Sequence, residues 1–272
     1  MNEASKVIEL LKELELKTSF TVYIPSLQRE VPFKQLTTEQ LKRILKTALV
    51  APIYNTDFIL TFNNIIRENC LDKSINVNTL TIYDKVLITY KTKIVSISPE
   101  YTFNFTENEI GTYLLQETNK TIDLTDIFNN FIDKKIVFEP KTISDDNCTV
   151  ICNIPTLLTE DKLEKEIHKD IVLDFDYEKE INKIIGEAFV SEITKYVISI
   201  SIGDTSVDLL QIPFKDRISI IESLPINVTG EILKYIENYK EAIEPLQSYL
   251  FVTDKGLTFK KDILLDPTFF NI

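Results

Sequence analysis

One segment near the N-terminus constrains this chain more than any other: Thr21 to Val50, TVYIPSLQREVPFKQLTTEQLKRILKTALV. Two runs of β-type residues flank Pro25 and Ser26, so a strand-turn-strand is expected over about 18 to 34. Thr38 is placed to cap a helix starting at Glu39, because its hydroxyl can accept from a free amide of the first turn. Leu41, Ile44, Leu45, Ala48 and Leu49 recur at spacings of three and four, which gives that helix a core-facing side. Pro52 then ends it, since it has no amide hydrogen to donate to the ladder. A hairpin running straight into an amphipathic helix points to an α+β fold, in which each element covers the other's apolar face.

The same periodicities divide the rest of the chain. Val7, Ile8, Leu10, Leu11 and Leu14 form a helical stripe over residues 3 to 14. Asn55 or Thr56 can cap a further helix that runs through Phe58, Phe62, Ile65 and Ile66 to Cys70. After a polar loop from Asp72 to Asn78 comes TIYDKVLITYKTKIVSIS. Its β-branched content suits a strand, but the spacing of Tyr83, Val86, Leu87, Tyr90 and Ile94 favours a helix. These elements make up an N-terminal part, 1–98. From Pro99 the pattern shortens to YTFNFTE, KKIVFEP and NCTVICNIP, which predicts a β-rich insert or subdomain over 99–176. The acidic stretch from Thr159 to Tyr177 closes it and is expected to be mostly solvated. Helical spacing returns in a C-terminal part, 177–272, which can form one domain with 1–98. There Ile181 to Val197 read as a long helix leading into YVISISI, with a turn at Gly203 and Asp204. Helices are expected over Phe214 to Ser223, Thr229 to Asn238 and Glu241 to Tyr249, then a β element around Leu257, Phe259 and Ile263.

Charge and cysteine content narrow the function classes. A formal charge of −12 opposes binding to a nucleic-acid duplex or an anionic membrane. No apolar run approaches the roughly 20 residues needed to cross a bilayer. MNEASKVIELLKELELK carries acids throughout and has no apolar signal region. Three cysteines, Cys70, Cys148 and Cys152, do not make a disulfide framework and suit a reducing compartment. The expected setting is therefore a cytoplasm.

Candidate chemistry is sparse. His168 is the only histidine, and it lies in EKEIHKDI, on an expected exposed helix end without a partnered nucleophile. Cys148 and Cys152 sit in a strand-type run, where residues four apart are roughly 13 Å apart. That is too far for shared tetrahedral ligation, so both read as buried thiols. Asp170, Asp174 and Asp176, with Glu178 and Glu180, lack the calcium-loop spacing and its central glycine. With 5 Gly in the chain and no phosphate-loop motif, a nucleotide cradle is not expected. No cofactor and no metal are expected. The C-terminus is different: Phe269, Phe270 and Ile272 follow Asp266-Pro267. An apolar terminus needs burial, either on its own core or on a partner.

The opening segment, with Tyr23, Pro25, Ser26, Arg29, Glu30, Val31, Phe33 and Leu36, resembles the N-terminal signature of the baseplate hub and hub-assembly family of T-even-type contractile-tailed bacteriophages. FNNIIRENC and NTLTIYDKVLITYKTKIVSIS, with Tyr83 and Asp84 at the helix start, are similar to that family's next two helices. GEAFVSEITKYVISI, ESLPINVTGEILKYIENY and the pair Phe269-Phe270 resemble its C-terminal region. The likeness covers about three-quarters of the chain and is weakest between Pro99 and Tyr177. Departures are Ser96-Ile97-Ser98, where more basic residues would be expected, and Gln28, where glycine would be expected. The resemblance implies a non-enzymatic protein of the host cytoplasm, either a virion baseplate hub subunit or an assembly chaperone. Its partners would be other hub and tail proteins, not nucleic acid or membrane. Arg29, Glu30, Phe33, Phe269 and Phe270 are the expected partner-contact residues. Two rival readings are a small metal-dependent hydrolase using the acidic segment around Asp170 to Asp176, and a generic cytoplasmic adaptor.

Overall fold

Alternation of buried and exposed side chains pairs Ser19–Ile24 (β1) with Arg29–Lys34 (β2) in an antiparallel hairpin, Phe20 opposite Phe33 and Val22 opposite Val31. This hairpin opens a computed structural model that describes residues 5–7, 10, 18–50, 56–108, 115–134, 136–145, 148–172, 190–253, 256–264 and 267–270. A 3-10 turn over Pro25–Leu27 joins the strands and ends at Gln28, whose φ of 51° is left-handed. Glycine, the residue that the resemblance implies there, adopts that backbone without a Cβ clash. Most of the N-terminal stripe, including Ile8, Leu11 and Leu14, lies outside the described residues. Val7 and Leu10 are helical and exposed.

Three helices follow: Thr38–Val50 (α1), Thr56–Asn69 (α2) and Ile82–Ser96 (α3). The cap of α1 is Thr37, one residue before the expected Thr38. The Gln40 amide donates to Thr37 Oγ1 at 3.2 Å and the Thr37 amide to Gln40 Oε1 at 3.1 Å. This reciprocal box needs Gln at the third helical position, which only Thr37 satisfies. The ambiguous segment before Pro99 is helical, as its spacing predicts. Thr81 and Asp84 close its start with a second box. Asp84, fully buried, also accepts from the Ser26 amide at 3.2 Å and so ties the hairpin turn to α3.

The fold is α+β, but the central part is not purely β. Glu100–Asn108 (β3) pairs with Leu115–Asp123 (β4), and a helix, Leu124–Ile132 (α4), follows directly. Lys141–Asp145 (β5) and Cys148–Cys152 (β6) then lead to a second helix, Leu157–Val172 (α5). The expected strand in KKIVFEP is absent: residues 136–140 belong to no strand. Their alternation serves side-chain docking instead. Phe138 packs edge-on against Tyr83 at 5.0 Å, and the Glu139 carbonyl accepts from the Tyr235 hydroxyl at 3.2 Å.

Val197–Ile202 (β7) and Thr205–Asp208 (β8) complete a four-stranded antiparallel sheet in the order β5-β6-β7-β8, turning at Gly203. Strands on both sides of residue 176 therefore share one sheet. The expected long helix before β7 is described only from residue 190 to 196. Beyond the sheet lie Phe214–Glu222 (α6), Ile226–Gln247 (α7), and a final antiparallel pair, Ser248–Val252 (β9) with Thr258–Asp262 (β10). α7 is one helix where two were expected, because Val228, Ile232, Tyr235, Tyr239, Ile243 and Leu246 continue one buried stripe without a break. Ser248 and Tyr249 leave it to enter β9. One hydrophobic core draws on all three parts of the sequence. No described helix is long and apolar enough to cross a membrane.

Candidate functional site

The five expected contact residues fall into two groups. Arg29 and Glu30 open β2 at the surface. Arg29 pairs with Asp72 at 2.9 Å and donates to Ser74 Oγ at 3.3 Å, which fastens the hairpin to the loop after α2. Hydrogen bonds from the Ser74 hydroxyl and amide, helped by Arg29, hold the Asp72 carboxyl below its ordinary range. Phe33, Phe269 and Phe270 are instead core residues, 1 %, 1 % and 2 % exposed. Phe33 points inward because the strand alternation that exposes Glu30 buries it. The 3-10 turn Pro267–Phe270 drives the terminal aromatics into the molecule. There Phe269 meets Tyr90 at 5.5 Å and Tyr101 at 5.9 Å, while Phe270 meets Phe62 at 5.5 Å. Phe269 and Phe270 are thus buried by their own chain, Ile272 lies outside the described residues, and the three aromatics are not exposed for surface contact.

The acidic segment departs furthest from expectation. In its first two turns Thr159, Asp161 and Glu164 are buried where α5 crosses α2 and α3, while Lys162 and Lys165 are exposed. Glu160 accepts from Lys85 of α3 and from Asn63 Nδ2 at 2.8 Å. Asp161 accepts from the same Asn63 nitrogen at 2.8 Å and pairs with Arg67. Glu164 accepts from Thr56 Oγ1 at 2.8 Å. Next to this row, Lys195 lies 3.2 Å from Glu192 and 3.8 Å from Glu164, and Lys240 lies 3.2 Å from Glu192. Burial alone would lower the Lys195 ammonium, but Glu192 and Glu164 override it and its pKa rises. Burial would raise Glu192, yet Lys195 and Lys240 bring it below the ordinary carboxylate value. Carboxylates matched in this way to cations and amides act as fasteners between helices. Sequence periodicity carried a hint of it: Glu160, Asp161 and Glu164 share one side of a helix.

Asp170 lies in the last turn of α5, and Asp174, Asp176, Glu178 and Glu180 lie outside the described residues. His168 is likewise in α5. Among the described residues, no cluster of three or more metal-ligating side chains occurs. Cys148 and Cys152 lie on one face of β6, both buried as expected, and burial pushes the Cys152 thiol up to about 12.

The most exposed large apolar side chains among the described residues lie in two places. Leu250 and Val252 are 66 % and 63 % exposed on the outer side of the β9–β10 pair. The inner side sets Phe251 against Phe105 at 4.8 Å. Ile202 and Ile226 are 60 % and 86 % exposed. They share one end of the four-stranded sheet, where Asn227 Nδ2 donates to Asp145 Oδ2 at 3.0 Å.

No protein-family model matches the chain, and neither does any curated protein or solved structure.

Proposed function

We propose that this chain works by protein–protein contact, without catalysis, as a subunit of the phage tail baseplate hub or as an assembly factor for it in the host cytoplasm. The order of the sequence blocks carries the reading: the Tyr23 to Leu36 entry, the two helices around FNNIIRENC and Tyr83-Asp84, and the closing Phe269-Phe270 pair. Surface pattern supports it as well. Large apolar side chains at Leu250, Val252, Ile202 and Ile226 stand in solvent although the chain buries apolar residues efficiently elsewhere. A standard interface covers about 800 Å² per partner, and buried apolar anchors dominate its energy. Arg29 and Glu30 remain candidates at its charged rim.

Quantitative mass spectrometry of purified particles against infected-cell lysate tests the proposal. Peptides at a fixed ratio to tail proteins mark a hub subunit. Abundance in lysate together with absence from particles marks an assembly factor, provided the chain co-purifies with hub proteins. Absence from both particles and hub complexes refutes the proposal.

A further inference from the structure

The N-terminal turn of α5 faces the corner between the 3-10 turn Leu209–Gln211 and α6 across a cavity of about 190 Å³. Leu158 and Leu210 form its apolar walls, with Thr156, Gln211, Lys162 and Arg217 among its polar lining. Among the described residues no carboxylate lines it, although acids outnumber bases 42 to 30 in this chain. Arg217 is 2 % exposed. Its Nε donates to the Ile212 carbonyl at 2.9 Å, which fixes the guanidinium plane. Its terminal nitrogens have no hydrogen-bonded acceptor among the described residues: the facing carboxylate oxygen, Glu166 Oε2, stands at 3.8 Å and is itself buried without a hydrogen bond. The guanidinium thus has an ion-pair partner on one side without a hydrogen bond from it, and forks of this shape match carboxylates. The amino end of α5 adds about half a positive charge on the same side, and Lys162 adds a full one. Against Glu166, the site keeps a net positive charge.

We propose that this cavity is a recognition site for a single carboxylate, seated between Lys162 and Arg217 with its short aliphatic stem against Leu158 and Leu210. Its volume decides the ligand class. Small-molecule pockets run from about 300 Å³ upward, so a nucleotide is too large, while one acidic side chain or a short-chain acid fits. The site is independent of the hub reading and stands or falls separately.

The test uses the full chain, with succinate, the blocked peptide acetyl-Ala-Glu-Ala-amide and its Gln counterpart as probes. Binding is read from amide shifts of Leu158 and Gln211 in 1H–15N spectra. Saturable shifts are expected with succinate or the Glu peptide and not with the Gln peptide. Lys162→Met, a change at an exposed position, is expected to weaken that binding about tenfold and leave amide shifts distant from the cavity unchanged. Tighter binding of the Glu peptide assigns the site to an acidic side chain of a partner, and tighter binding of succinate to a free small carboxylate. Absence of saturable shifts, equal binding of the Gln peptide, or unchanged affinity in Lys162→Met overturns the proposal.

Discussion

α2 is held from two sides by opposite means. Phe58 and Phe62 meet the terminal Phe270 in an aromatic seam. Thr56, Asn63 and Arg67 meet the carboxylates of α5 in a polar one. The aromatic seam is non-directional: its stabilisation follows from area removed from water and from ring packing. The polar seam is directional and conditional, because each buried charge is stabilising only while its partner is in place. The first kind of contact loses stability with the area and volume removed, whereas the second fails when a single partner is removed.

The largest expected effect lies in the aromatic seam. Phe270→Ala should cost about 3–5 kcal/mol, the range for emptying a large aromatic site in a core. It should appear as a lower urea midpoint with an unchanged slope. A loss below about 1 kcal/mol would show that the terminal turn contributes little to the fold.

In the polar seam, Asp161→Leu should cost about 2–3 kcal/mol, because it leaves Arg67 facing a partly buried site without its partner. Adding Arg67→Leu should restore much of that loss, since an apolar pair escapes the desolvation penalty. A double variant no better than the single would show that Arg67 is satisfied elsewhere and that the two seams differ less than their geometry implies.

The smallest effect separates the seams by pH. The Glu192 carboxyl is held below its unfolded value by Lys195 and Lys240. The stability it contributes is therefore fully present above the ordinary carboxylate value of about 4.3 and lost as pH falls through the lowered folded value. Glu192→Gln should flatten the unfolding free energy against pH across that acid window. Phe270→Ala should leave the slope as it is and shift the whole curve downward. Parallel curves for wild type and Glu192→Gln would contradict this assignment.

Much of the N-terminal part was legible because its signals are local. The spacing of Tyr83, Leu87 and Tyr90 marks α3 over two turns, and the alternation around Pro25 marks the hairpin. The α1 cap was displaced by one residue because two threonines are adjacent and only the Gln three positions after Thr37 discriminates between them. α4 was missed although Asp123 caps it, its side chain accepting from the Thr125 amide at 2.7 Å. Leu124, Phe128 and Phe131 also carry its buried stripe. Its nine residues are short enough to be overshadowed by the strands before it.

Local pattern and composition were enough for which segments could become helices and strands, for the strong negative charge, and for Cys148 and Cys152 lying in a strand-type run. These are properties of neighbouring residues and of composition. Tertiary structure alone decided that Glu160, Asp161 and Glu164 would be buried, that Phe33, Phe269 and Phe270 would face inward, and that Arg217 would border an open cavity. Each of those outcomes depends on a partner distant in the chain: Asn63 lies 98 positions from Asp161. A carboxylate has the same local pattern whether water or a lysine faces it, and only packing selects between them.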